Sequence, residues 1–248
     1  MAPLLAVALA LIFNGFVAAA AADEAVDLEL VFLADASGSI DDGEIRFQRA
    51  GYAAAITDPE ILSAITQGYR QRIAVTYVEW GDAASQDVVV PWTIIDGEAS
   101  AKGFAGALLA APRRAFGRNA IGSAITVAQA LIEANDIDGE RRVIDFSGDS
   151  ANSWGGVPVA LARGQALAAG FVINGLAVLC RECSGPPVAY DLEAAFYERI
   201  VGGPGSFVIA ADGRERFAEA VRRKLLQEIA SGPASPRRLS IAGPTPTR

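Results

Sequence analysis

Histidine is absent from this chain of 248 residues, and lysine occurs only at Lys102 and Lys224. The lack of histidine excludes the usual general base, the Ser-His and Cys-His nucleophile pairs and His-ligated zinc. Neither lysine lies in a recognisable catalytic sequence context. An enzyme would have to work with carboxylates or with one of these lysines, and we expect the chain not to be an enzyme.

Cysteine is also scarce, with Cys180 and Cys183 as the two in the chain. A zinc ribbon would need two further ligands, which the sequence does not supply. The segment that follows Cys183 is Ser-Gly-Pro-Pro, a loop sequence, whereas a redox-active pair favours a helix N-terminus. In an exported protein, two cysteines three positions apart most simply form a local disulfide, and we expect one here.

Basic residues are outnumbered, with 21 Lys and Arg against 29 Asp and Glu, so the net charge is −8. This balance argues against nucleic acid as a partner, because phosphate binding depends on clustered basic side chains. We interpret the short basic clusters as solvated helix ends and faces; they are Arg113-Arg114, Arg141-Arg142 and Arg222-Arg223-Lys224.

A long apolar run occurs only at the N-terminus, from Met1 to Ala22. It is typical of a signal peptide cleaved before Asp23, which predicts an exported protein, periplasmic or secreted. An uncleaved membrane anchor is the alternative, because the run is close to the roughly 20 residues that span a bilayer. Residues 23–230 are then expected to form one domain. Residues 231–248, rich in Pro, Ser and Arg, are predicted to be a disordered tail.

Strand-like and helix-like segments alternate from Asp27 onward, which predicts an α/β fold with helices on both faces of a sheet. Two β-rich runs, Arg72–Trp80 and Val88–Ile95, are joined by a short link that suits a hairpin. The expected fold class is therefore α/β, doubly wound, with a mostly parallel sheet and one antiparallel edge strand. The segment Pro59–Gln67 is predicted to continue the helix that begins near Asp42.

Candidate ligands for a metal ion follow the first strand, in the sequence Asp35-Ala36-Ser37-Gly38-Ser39. A carboxylate and two hydroxyls spaced two apart offer hard oxygen ligands of the kind that Mg²⁺ takes. An ordinary turn and helix cap would use the same residue types. Asp149 also falls just past a predicted strand, and ligand sites in such sheets lie beyond the carboxyl ends of strands. That convergence favours a site.

These residues resemble the metal-ion-dependent adhesion site of a von Willebrand factor A domain, in a poorly characterised bacterial branch of that family. The strand-end Asp-x-Ser-x-Ser matches, and Asp149 stands where the family has Thr-Asp-Gly, with Gly148 and Ser150 as departures. In the second loop, the position of the family's Thr falls on Asn119. The side-chain carbonyl oxygen of Asn119 can ligate a hard cation in its place. The alternatives are that Ser123 or a water takes that place, or that the site binds metal weakly.

The resemblance implies adhesion rather than catalysis. Ser37 and Ser39 would bind Mg²⁺ or Mn²⁺ directly, with Asp35 and Asp149 acting through metal-bound waters. An Asp or Glu carboxylate of a partner protein would then complete the coordination. Separately from the resemblance, we hypothesise that Arg118 beside Asn119 steers an acidic ligand, with a solvated arginine as the alternative. Trp154 follows Asp149 in a Gly-rich loop, which suggests that it borders the site and contacts a partner.

Two other functions remain open from the sequence. One is a metal-dependent hydrolase with Asp35 as the nucleophile, although Ser37 stands where such phosphatases have a second Asp. The other is a periplasmic small-molecule receptor, although the chain after the leader has the length of a single domain. Glu79 lies between apolar neighbours and is expected to be a buried carboxylate that needs a partner.

Overall fold

A six-stranded sheet forms the centre of the computed structural model, which describes residues 24–179 and 189–231. The elements of these residues follow one another in the order β1 (Glu24–Val26), β2 (Glu29–Asp35), α1 (Asp42–Ile56), α2 (Pro59–Thr66), β3 (Ile73–Trp80), β4 (Gln86–Ile95), α3 (Glu98–Ala110), α4 (Ile121–Glu133), β5 (Ile137–Gly139), β6 (Arg142–Gly148), α5 (Val159–Ala168), β7 (Val172–Leu179), α6 (Leu192–Arg199), β8 (Val208–Asp212) and α7 (Arg214–Ala230).

The strand order in the main sheet is β4-β3-β2-β6-β7-β8, and every neighbouring pair is parallel except β3 with β4. This confirms the predicted doubly wound sheet with one antiparallel edge strand. The chain first builds outward from β2 through β3 to β4, then returns to add β6 on the other side of β2. The strand order therefore reverses between β2 and β6, which is where such sheets bind ligands.

Helices cover both faces of this sheet. Strand β2 is buried along its whole length, and its side chains alternate between two hydrophobic cores, with Leu30 and Phe32 in one and Val31 and Leu33 in the other. The first core includes residues of α1, α2, α3 and α7, and the second includes residues of α4, α5 and α6. This two-sided burial explains why the central strands read as continuous apolar runs.

Three local features refine the predictions. Strands β1 and β5 form a small parallel sheet of their own, which the sequence did not indicate. The helix predicted to continue through Pro59 is interrupted, because the Asp58 carboxylate accepts a hydrogen bond from the Glu60 N–H and starts α2 as a separate helix. Helix α1 begins with a complete capping box between Asp41 and Glu44.

Several predicted segments lie outside the described residues. They are the signal peptide 1–22, the Cys180–Cys183 disulfide and most of the tail 231–248. Within residues 24–179 and 189–231, no helix has both the length and the apolar character needed to cross a membrane.

The prediction of solvated basic clusters is wrong at Lys224, which is 1% exposed. The Lys224 ammonium lies 2.7 Å from Asp145 Oδ1 on β6 and 2.6 Å from Glu228 Oε1 one turn along α7. Asn174 Nδ2 also donates to Glu228 Oε1, at 2.9 Å. These contacts attach α7 to the sheet through a buried polar cluster, which we call the α7 cluster (Asp145, Asn174, Lys224 and Glu228).

Glu79 is buried as expected, and its partner is Arg49 of α1. Arg49 Nε and Nη2 lie 2.7 Å and 2.9 Å from the two Glu79 carboxylate oxygens. The same guanidinium donates to the carbonyl oxygens of Ala111 and Pro112. This bidentate pair ties β3, α1 and the segment after α3 together, directly behind the carboxyl edge of the sheet.

Candidate metal centre

The loop after β2 folds back on the carboxylate that ends the strand. The Ser37 N–H donates to Asp35 Oδ1 at 2.8 Å, and Gln48 Nε2 of α1 donates to the Asp35 carbonyl oxygen at 3.2 Å. The Ser37 and Ser39 hydroxyl oxygens are 3.3 Å apart. Adjacent ligands of an octahedral Mg²⁺ at about 2.1 Å are separated by about 3 Å, so these hydroxyls have nearly the spacing of two such ligands.

Asp149 meets this loop from the end of β6, the neighbour of β2 in the sheet. Burial and then the charge of Asp149 raise the pKa of Asp35 to about 8, against opposing hydrogen bonds from Ser37 and from the Asp149 N–H. Burial also raises the pKa of Asp149, which accepts a hydrogen bond from the Ser39 hydroxyl and is repelled by Glu44. Four predicted site residues thus interact directly, namely Asp35, Ser37, Ser39 and Asp149.

The two carboxylates have no cationic partner among the described residues. Asp35 is 1% exposed, and its Oδ2 atom is buried with no hydrogen-bond donor in that part of the chain. Among the described residues, no three acidic, histidine or cysteine side chains converge as a metal-ligand group. Hard oxygens around an uncompensated negative charge fit a divalent cation such as Mg²⁺ or Mn²⁺.

Packing explains why glycine stands at position 148, where the family pattern has threonine. A Cβ atom at this position would lie 3.3 Å from Asp35 Oδ2 and 3.3 Å from Cζ2 of Trp80. Trp80 is fully buried and stacks on Phe146, with ring centroids 5.1 Å apart. The indole therefore occupies the space beside Asp35 that the family's Thr side chain would need.

The loop that carries Asn119 contacts the Asp35 loop through its backbone. The Gly38 N–H donates to the Gly117 carbonyl oxygen at 2.7 Å, and Gly117 has a φ of 104°, which favours glycine. The backbone carbonyl oxygen of Asn119, not its side-chain oxygen, accepts a hydrogen bond from the backbone N–H of Trp154 at 2.5 Å. The structure thus places Asn119 in the adjoining loop, and its role as a ligand stays a prediction.

Two serines near this loop accept hydrogen bonds from backbone N–H groups. Ser123 Oγ accepts a hydrogen bond from the Val157 N–H at 3.0 Å. Ser153 Oγ accepts from the Ile121 N–H at 3.1 Å, in the first turn of α4, and lies 3.3 Å from the Asn119 carbonyl oxygen. Ser153 was missed by the sequence analysis because it caps a helix more than thirty positions earlier in the chain. Ser123 and Asn119 both stay predicted candidates for the second-loop ligand.

Arg113 supports the loop after Asp35 and is not a solvated residue, contrary to the prediction for its cluster. Its guanidinium donates to the Ala36 carbonyl oxygen at 2.8 Å and pairs with Asp42 at 2.8 Å. It thus holds the loop between Asp35 and Ser37 by the backbone. In the sequence, this role of Arg113 is indicated only by a basic residue that follows Pro112.

Known structures share this fold across most of the chain. A von Willebrand factor type A protein from Catenulispora acidiphila aligns with a TM-score of 0.55 and 17% identity over 83% of this chain and 43% of that one. The zinc-occupied proximal thread matrix protein 1 from the mussel byssus aligns with a TM-score of 0.56 and 15% identity, covering 84% and 48%. The pilus adhesin SpaC from Lactobacillus rhamnosus GG gives 0.55 and 12%, covering 82% and 30%.

These likenesses show that the chain has the von Willebrand factor A fold, as the sequence motif predicted. The chain spans only about a third to a half of the length of those three proteins. No curated protein matches the sequence. A family model described as "Protein of unknown function (DUF1194)" matches residues 25–233.

Proposed function

The chain belongs to the DUF1194 family and has the von Willebrand factor A fold, and from this premise we propose that it is an exported, metal-dependent protein-binding module. The observation that carries the proposal is the interaction of the buried Asp35 carboxyl group with the half-buried Asp149, which no cation among the described residues balances. Similarity to an adhesin and to a protein with a zinc-occupied adhesion motif supports it.

In this proposal, Asp35, Ser37, Ser39, Asn119 and Asp149 hold a divalent cation, Mg²⁺ or Mn²⁺. A cation bound there supplies a Lewis-acidic position for an Asp or Glu carboxylate of a partner protein. Ser37 and Ser39 offer neutral oxygens, and Arg113 fixes their loop from behind. Because the protein's own ligands include few direct anions, the site favours an incoming carboxylate.

Binding without catalysis fits the positions of the two lysines. A hydrolase with Asp35 as nucleophile would need a nearby base or cation, but Lys224 is committed to the α7 cluster and Lys102 pairs with Glu98 on α3. Ser37 also occupies the position of the second Asp of strand-end phosphatases. We therefore assign no catalytic residue.

The small-molecule receptor has one observation in its favour. A cavity of about 670 Å³ opens at the amino ends of β2, β6 and β7, the edge of the sheet opposite Asp35. Glu29, Arg141 and Asn174 are among its lining residues. A thermal stability shift with amino acids or sugars in the presence of a metal chelator would favour this second function.

A calorimetric titration of Mg²⁺ and Mn²⁺ tests the leading proposal. The wild-type protein should bind, and Asp35→Ala should abolish the heat of binding. Asp145→Asn is the matched control, because Asp145 is another buried aspartate of the sheet that has Lys224 as its partner. Absence of binding by the wild type, or equal binding by Asp35→Ala, would overturn the metal site.

A further inference from the structure

Two large aromatic side chains are exposed beside the candidate metal centre. Trp154 is 61% exposed and Phe116 is 52% exposed. Phe116 precedes Gly117, whose carbonyl oxygen accepts a hydrogen bond from the Gly38 N–H in the loop after Asp35. The backbone N–H of Trp154 donates to the backbone carbonyl oxygen of Asn119. Single exposed apolar residues are common, but these two stand on the loops that approach the Asp35 loop.

Both aromatic residues are held in place by neighbouring groups. The Phe116 N–H donates to Ser85 Oγ at 2.9 Å, its carbonyl oxygen accepts from the Asp82 N–H at 2.9 Å, and the Arg113 guanidinium lies 4.6 Å from its ring centroid. The Arg118 guanidinium lies 6.0 Å from the Trp154 ring centroid. Large aromatic side chains have only two rotatable χ angles, so on these anchored backbone segments they lose little conformational entropy when a partner binds.

Positive charge accompanies these rings in a protein whose net charge is −8. Arg118 is exposed and, within the described residues, has no ion-pair partner. Arg114, two positions before Phe116, is also exposed, with 66% of its side chain accessible and Asp87 at 3.9 Å. An acidic segment is therefore attracted to this edge by Arg118 and meets an apolar surface next to the metal.

We propose that Phe116, Arg118 and Trp154 form a specificity surface, the aromatic rim, for a partner segment in which a bulky apolar side chain adjoins the metal-bound carboxylate. This rests on the proposed function, since the carboxylate is positioned by the cation. The apolar side chain packs on the rim rings, and Arg118 contacts a second acidic group or a carbonyl oxygen. Acidic segments flanked by small residues bind more weakly, because the rings stay exposed to water.

The test uses short capped peptides and the full chain with saturating Mg²⁺. Acetyl-Gly-Asp-Phe-Gly-amide is compared with Gly-Asp-Gly-Gly and Gly-Asn-Phe-Gly in the same capped form. Binding is followed in a ¹H–¹⁵N spectrum, which detects weak binding, by the Trp154 indole N–H signal in the wild type and by the backbone N–H signals of Ser37 and Gly38 in the wild type and in every variant. Three tryptophans give three signals, and those of Trp80 and Trp92 are distinguished because their indoles donate to Leu33 and Leu131 carbonyl oxygens.

The Asp-Phe peptide should shift the Trp154 signal in Mg²⁺ and not in EDTA. The Asp-Gly peptide should bind roughly tenfold more weakly, as loss of one packed aromatic ring predicts. Trp154→Ala should remove the preference for Asp-Phe. Tyr69→Ala is the matched control, because Tyr69 is also 61% exposed with an arginine, Arg70, 4.9 Å from its ring, but it precedes β3 at the opposite edge.

Equal affinity for Asp-Phe and Asp-Gly, or an unchanged preference in Trp154→Ala, would overturn the aromatic rim while leaving the metal site intact. A Trp154 signal that shifts with N-acetylglucosamine in EDTA, and not with the acidic peptides, would assign a sugar platform and overturn it as well. Mg²⁺ binding is measured separately by calorimetry. If the wild type binds no metal, the proposed function fails and the rim proposal fails with it.

Discussion

Two pairs of carboxylates lie at or against the same sheet, and the protein balances them differently. In the α7 cluster, Asp145 and Glu228 share the ammonium of Lys224, at 2.7 Å and 2.6 Å. At the carboxyl edge, Asp35 and Asp149 repel each other with no cation from the described residues beside them. Buried like charges without compensation are costly. The comparison indicates that the first pair is structural, and it supports the proposal that the second pair takes a cation from outside.

The largest effect is expected from removing the internal cation. Lys224→Met leaves Asp145 and Glu228 buried together without a positive charge, and breaking such a cluster costs about 3–5 kcal/mol of unfolding free energy. Urea denaturation measures this loss. Adding Asp145→Asn to Lys224→Met should recover part of it, because one buried negative charge is removed. A loss below about 1 kcal/mol, the scale of exposed pairs, would contradict the structural role of the cluster.

The α7 cluster also predicts a pH dependence of stability. Burial and then the charge of Glu228 raise the pKa of Asp145 to about 7, against the opposing effect of Lys224. A raised carboxyl pKa contributes stability that is fully present below the unfolded pKa near 4 and is lost as the pH rises through about 7. Asp145→Asn mimics the protonated form, so its stability relative to wild type should improve as the pH rises from about 4 to about 7 and stay constant above that. Parallel stability curves for the two proteins would contradict this.

At the carboxyl edge, restoring the family's threonine should be harmful. Gly148→Thr forces a side chain against Asp35 and the buried Trp80 indole. Overpacking of this kind costs about 1–3 kcal/mol, which thermal or urea unfolding in EDTA would show. Gly164→Thr is the control for adding a threonine, because no atom lies within 4 Å of a Cβ built there and it tests only helix propensity. Equal losses for both variants would remove the packing explanation.

The smallest effect is expected in the second loop. Asn119→Ala should weaken Mg²⁺ binding by roughly tenfold, less than Asp35→Ala, because one neutral ligand is lost. Ser123→Ala should leave the affinity unchanged, since its hydroxyl is used by the Val157 N–H. Calorimetric titration of Mg²⁺ into Asn119→Ala and Ser123→Ala measures both affinities. A larger loss in Ser123→Ala would make Ser123 the ligand.

Most of the fold could be predicted from local sequence patterns. The apolar run of β2, the hairpin of β3 and β4 and the Asp41–Glu44 capping box are all readable over a few consecutive residues, and the structure contains each of them. Strands β1 and β5 were missed because three residues are too few to show a periodicity.

What could not be predicted depends on contacts between distant residues. Arg49 is thirty positions from Glu79, and nothing in either neighbourhood indicates the pair. Lys224 looks solvated in a run of three basic residues, but it lies on the inner face of α7 opposite Asp145. At the candidate site, Asp35 and Asp149 were found because both follow strands, whereas the support from Arg113 required the tertiary structure.

The central claim is that Asp35 and Asp149 form a pair completed by an external cation. The most direct measurement is the unfolding free energy of wild type and Asp35→Asn, each in EDTA and in saturating Mg²⁺. In EDTA, Asp35→Asn should be at least as stable as wild type, because the amide avoids the cost of burying a carboxyl group beside Asp149. In Mg²⁺, wild type should gain stability by ligand linkage and become the more stable protein, while the variant does not change. If Mg²⁺ leaves the wild type unchanged and Asp35→Asn is the less stable protein in EDTA, Asp35 is a structural residue and the account is wrong.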